Sequence, residues 1–130
     1  MIGRNFEDAH TDWCYGTNWQ IEGDIKGVFK LRSSNPAVPH YLDAQTSDLR
    51  EKRIIGRLYE DAHADWCTGS NWQIEGDING VFKLRSYNQS GPIYLDAQTS
   101  NDREKSIVGR NSEDAHTDWC TGTNWMIEYN

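Results

Sequence analysis

A chain of 130 residues with 13 basic and 20 acidic side chains carries a net charge of −7, which leaves no basic patch for a nucleic acid or an anionic membrane surface. Its length fits one domain able to bury roughly two-thirds of its unfolded surface, enough for a core without staples. No apolar run approaches the roughly 20 residues of a membrane span, and Met1-Ile2-Gly3-Arg4 opens directly into patterned sequence. A soluble, secreted or extracellular protein whose signal has already been removed is expected.

After that short apolar opening comes a block running from Glu7 to Glu22, Glu-Asp-Ala-His-Thr-Asp-Trp-Cys-Tyr-Gly-Thr-Asn-Trp-Gln-Ile-Glu. It returns from Glu60 and again from Glu113, 53 residues further on each time, and holds every Trp, every Cys and three of the four His. We call it the A unit. A B unit follows each of the first two copies: Gly27-Val28-Phe29-Lys30-Leu31-Arg32-Ser33, a variable turn, then Tyr41-Leu42-Asp43-Ala44-Gln45, with Gly80 to Ser86 and Tyr94 to Gln98 as its counterpart. Residues 3–55 and 56–108 align without a gap at 38 of 53 positions, and 109–130 begin a third period. The order is A-B-A-B-A within a single domain, 1–130, because a fixed period marks a repeat architecture.

Phe29 and Leu31 alternate with Val28, Lys30 and Arg32, and Leu42 and Ala44 behave likewise, so both halves of the B unit read as strands. Apolar segments precede the later A units (Ile54-Ile55-Gly56-Arg57, Ile107-Val108-Gly109-Arg110), and Trp-x-Ile-Glu ends each one. Trp72 and Ile74 share a face, which places Trp19, Trp72 and Trp125 in the core. The charged run Ser47 to Lys52 reads as a solvated loop with a single helical turn. Counting gives about ten strands in five hairpin-like units, an all-β domain.

Phe-x-Leu-Arg-Ser, a turn, Tyr-Leu-Asp-Ala, an apolar strand and Trp-x-Ile together resemble the four-strand unit of β-trefoil proteins. The resemblance implies a β-trefoil-like barrel in which Ile2-Gly3-Arg4 is the last strand of a split repeat and Trp125-Met126-Ile127-Glu128 its first. All three A units would build the barrel, with two of three capping hairpins present as B units. The alternatives are a two-repeat antiparallel β-barrel closed by the extra A unit, or a homodimer that covers the gap.

Cys14, Cys67 and Cys120 occupy equivalent positions and cannot all pair within one chain, so small thiols packed under the loops are expected, with an interchain bridge as the alternative. The sequon Asn88-Gln89-Ser90 is Asn35-Pro36-Ala37 one period earlier and looks incidental.

Between its flanking strands each A unit has a loop of about 14 residues, nearly constant while the B-unit turn drifts, and long ordered loops are where function tends to sit. Asp8, His10, Asp12 and Asn18 offer acceptors and donors to vicinal hydroxyls, Trp13 offers a flat apolar face, and Gly16 permits close backbone approach or a positive φ. The same set recurs as Asp61, His63, Asp65, Trp66, Gly69 and Asn71, and as Asp114, His116, Asp118, Trp119, Gly122 and Asn124. This chemistry suits a pyranose, slightly favouring galactose-type sugars. Trefoil-type lectins, many of which carry one sugar site per repeat, point the same way, and three weak sites would give avidity for cell-surface glycans or polysaccharides.

Arg4, Arg57 and Arg110 precede the loops; they read either as contacts to an acidic sugar or as salt bridges to the adjacent Glu or Asp. Asp8-x-His10-x-Asp12 gathers three potential metal ligands in five residues and makes metal binding the second hypothesis, but zinc sites draw on separate elements and calcium prefers oxygen, so no metal or other cofactor is assigned. Three identical catalytic centres in 15 kDa would be unusual, and adjacent loop residues seldom converge on one substrate atom, so the chain is not read as an enzyme. A structural or protease-inhibitor role is the remaining class. The expectation is a non-enzymatic lectin with three equivalent sites.

Overall fold

The computed structural model describes residues 2–4, 7, 10, 18–34, 40–45, 52–88, 91–97 and 104–128, with 2–4, 52–53 and 104–106 described by their backbone. Nine strands are seen: β1 Ile2–Arg4, β2 Trp19–Gly23, β3 Phe29–Ser33, β4 Tyr41–Ala44, β5 Lys52–Arg57, β6 Trp72–Gly76, β7 Phe82–Ser86, β8 Ile93–Ala97 and β9 Glu104–Arg110. Every pairing among them is antiparallel. They run in the order β1-β9-β5-β4-β3-β6-β7-β8, with β2 on β3 and a further pairing of β8 with β9. The tenth expected strand, at Trp125, is a single bridge to Phe82. The helical turn expected across Ser47 to Lys52 lies outside the described residues, apart from Lys52, which begins β5.

The tight hairpins β2–β3 and β6–β7 follow from their turn sequences. Asp24 and Asp77 accept the backbone N–H two residues on, at 3.0 and 2.9 Å, closing a turn that a short acceptor side chain favours. Gly23 and Gly76 enter these turns at φ of 122° and 124°, a region costly for any residue with a Cβ.

Alternation along the B strands buries Phe29, Leu42 and Ala44 with Ile54 and Trp72, and one period later Phe82, Leu84, Ile93, Leu95 and Ile107. Trp72 is fully buried, and its indole N–H donates to the Leu42 carbonyl at 3.0 Å. Trp125 repeats that bond to Leu95 at 2.9 Å and packs against the same core. Trp19, expected to be the third core indole, is instead 38 % exposed. Trp72 lies opposite Phe29 and Trp125 opposite Phe82, so each is covered by the B unit before its own A unit. Among the described residues β2 pairs with β3 alone.

Candidate functional site

In the second A unit the chain leaves β5 through Leu58, makes a helical turn at Tyr59–Ala62 and a 3-10 turn at Thr68–Ser70, and enters β6 from Asn71. The third repeats this at Ser112–Ala115 and Thr121–Thr123. Turns of three or four residues are too short to leave a helical period, so the sequence reads them as loop. Asn111 caps its turn by accepting the Asp114 N–H at 2.9 Å, a bond that Leu58 cannot offer.

His63 turns its Nδ1 onto the Tyr59 carbonyl at 2.7 Å and its Nε2 onto Glu22 at 2.6 Å. His116 does the same with Ser112 and Glu75, both at 2.6 Å. The third pair, His10 with Glu128 at 2.8 Å, joins the first A unit to the last. Tyr41 and Tyr94 donate their hydroxyls to the other oxygens of Glu22 and Glu75 at 2.9 and 2.8 Å. Burial pushes both carboxyls up, but the hydrogen bonds from histidine and tyrosine prevail and hold them below their ordinary value. The Ser112 carbonyl, and then Glu75, hold His116 above its own. Since a carbonyl only accepts, the His116 Nδ1–H donates to it, and when Nε2 is protonated as well the ring donates to the Glu75 carboxylate as an imidazolium. These histidines join neighbouring A units.

Asn71 and Asn124 are joints as well. The Lys30 ammonium donates to the Ser70 hydroxyl and the Asn71 amide oxygen at 2.9 and 2.7 Å, and Lys83 does so to Thr123 and Asn124 at 2.9 and 2.8 Å. Burial lowers the Lys30 pKa. Asn18, their counterpart, is exposed.

Gly69 and Gly122 do not take a positive φ. A Cβ at either would collide with the carbonyl of Ala44 or Ala97 and the carboxylate of Asp43 or Asp96. The close approach is to the preceding B unit. Gly16 lies outside the described residues.

Arg57 donates from Nε to Asp43 at 2.8 Å and Arg110 to Asp96 at 2.7 Å. In both, the partner of Nε is a B-unit aspartate. Each guanidinium also lies over an indole, 5.5 Å from the Trp66 centroid and 5.8 Å from that of Trp119, a cation–π geometry that fixes the ring. The Arg4 side chain is among those not described.

What the A units turn outward is therefore a smaller set. Trp66 and Trp119 are 59 % and 56 % exposed, and Asp61, Asp65 and Asp118 are exposed while Asp114 is half-buried. Asp8, Asp12 and Trp13 lie outside the described residues. Cys67 and Cys120 are buried free thiols pushed up by that burial, and Cys14 is not described. Asn88 spends its side-chain amide on the Ala44 carbonyl at 2.8 Å. Both ring nitrogens of His63 and His116 are occupied, and among the described residues no group of three His, Cys, Asp or Glu is placed to hold a metal. No helix among them is long and apolar enough to cross a membrane.

Lys30, Glu22, Tyr41, Asp43 and their counterparts one period on were not among the sequence candidates. Asp43 carried a signal: a carboxylate within the fully buried strand Tyr41–Ala44 needs a partner.

Comparison with family models, with curated proteins and with solved structures finds no match for this chain.

Proposed function

We propose that the chain is a non-enzymatic carbohydrate-binding protein, a small extracellular lectin with one sugar site on each A unit. The observation that carries this reading is the exposed indole: Trp66 and Trp119 stand out at equivalent places, each held by an arginine. A pyranose packs its C–H face on such a ring, and a ring already fixed loses little freedom on binding. Asp65 and Asp118 supply the neighbouring acceptors for hydroxyls, and Trp13 with Asp12 forms the third site. With Arg57 and Arg110 committed to Asp43 and Asp96, neutral galactose-type sugars are favoured over acidic ones.

The scaffold in this reading is β-trefoil-like. Two observations support it. Lys52 pairs with Gly109, and one period on Lys105 pairs with Gly3, which are equivalent only on a ring of three periods. Glu75 meets His116, and one period on Glu128 meets His10, a second and independent return to the start.

A glycan array probed with labelled protein, with and without chelator, tests the function. Binding to one terminal-sugar class, followed by calorimetry in which Trp66→Ala removes one of three equivalents, is the expected result. A second reading, that the A block is only the joint between units, is favoured by the His–Glu and Lys–Asn links; a blank array from folded protein would establish it and sink the lectin.

A further inference from the structure

Among the described residues, the second and third A units each sit on a B unit, and the first does not. Trp72 and Trp125 lie against Phe29 and Phe82 and bond to the carbonyls of Leu42 and Leu95. Ile74 and Ile127 pack on the core beside them, whereas Ile21, like Trp19, is more than one-third exposed. The backbone is open on the same unit. β5 and β9 each pair with the second strand of a B unit, through Gly56 with Leu42 and Gly109 with Leu95. β1, which carries the equivalent Gly3, ends the sheet order with β9 as its sole partner among the described strands. Glu128 tells the same story: it is 69 % exposed, against 41 % and 43 % for Glu22 and Glu75, each of which has a B-unit tyrosine on its second oxygen.

The geometry points to a docking surface on the first A unit, formed by β1, Asn18, Trp19, Ile21 and Glu128, whose occupant is a further B-type strand pair. It binds by adding strands to open edges, with Phe and Leu of Phe-x-Leu-Arg-Ser on Trp19, its Lys on Asn18, and the Tyr of Tyr-Leu-Asp-Ala on Glu128. The chemistry is specified twice over by the two B units already seated. A second copy of this chain does not qualify, because its own B units are held by its second and third A units. Segment 78–106 holds the second such strand pair, β7 and β8. That segment carries four basic and three acidic residues, against −7 for the chain. The surface is separate from the exposed Trp66 and Trp119, so it stands or falls independently of sugar binding.

The test is titration of a synthetic peptide of residues 78–106 into the intact protein, read by calorimetry and by tryptophan emission. One equivalent should bind with a blue shift, Trp19→Ala should weaken it at least about tenfold, and Trp66→Ala should leave it unchanged. A peptide carrying Phe82→Ala and Leu84→Ala, which leaves the protein untouched, should not bind. Absence of binding up to about 100 μM, equal binding by the altered peptide, or a chain dimer that buries Trp19 and resists the peptide would each overturn the proposal.

Discussion

The first A unit and the two that follow share nearly one sequence and differ in what lies beneath them. Trp72 is sealed under Phe29 and Leu42, whereas Trp19, in the same local sequence, is 38 % exposed. Burial in this protein is therefore a property of the joint between an A unit and the B unit before it, and the Trp-x-Ile-Glu pattern alone does not confer it. The contrast can be broken most directly by truncating both indoles. Trp72→Ala should cost about 3–5 kcal/mol, as an emptied aromatic site in a packed core does, and Trp19→Ala under about 1 kcal/mol. Urea unfolding followed by circular dichroism measures both, and equal losses would show that the first unit is seated after all.

A smaller contrast separates the two seated units. The Arg110–Asp96 pair is buried on both sides, with side chains 9 % and 5 % exposed, whereas Arg57 is 25 % exposed above Asp43. Removing a carboxylate strands the guanidinium, and the cost depends on whether water can reach it. Asp96→Ala should destabilise by about 3 kcal/mol and Asp43→Ala by roughly half that. The same pair of unfolding curves decides; a larger loss at Asp43 would reverse the ranking of the joints.

The local strands were legible because each needs only its own alternation: Phe29 and Leu31 point inward, and Val28 is exposed. The 53-residue period exposed the recurrence of the A unit, and with it the outward Trp66 and Trp119. The joints were not legible. His63 meets Glu22 across 41 residues and Lys30 meets Asn71 across 41, and neither spacing leaves a mark in a period of two. Side chains that look like ligand contacts in one unit also hydrogen-bond to the unit before it. Gly69 is a case of the same kind: its missing Cβ makes room for Ala44, 25 positions earlier. Trp19 was placed in the core because its own strand resembles β6, and the strand does not encode its cover.

The weakest of these links is also the one that pH can address. Glu75 is held below its ordinary value near 4.5, so its share of stability is present above that value and lost as the pH falls through the lowered one. His116 is held above its ordinary value near 6.5, so its share is full below that value and lost as the pH rises through the raised one. The His116–Glu75 link therefore contributes most between about pH 4.5 and 6.5. Both side chains are over one-third exposed, which keeps the contribution under about 1 kcal/mol and sensitive to salt. Melting temperatures of the wild type and His116→Gln should differ most near pH 5.5 and converge on either side. A gap that is flat with pH would mean that the imidazole holds its unit by shape and stacking on Tyr94, 4.9 Å away edge to face, with charge contributing nothing.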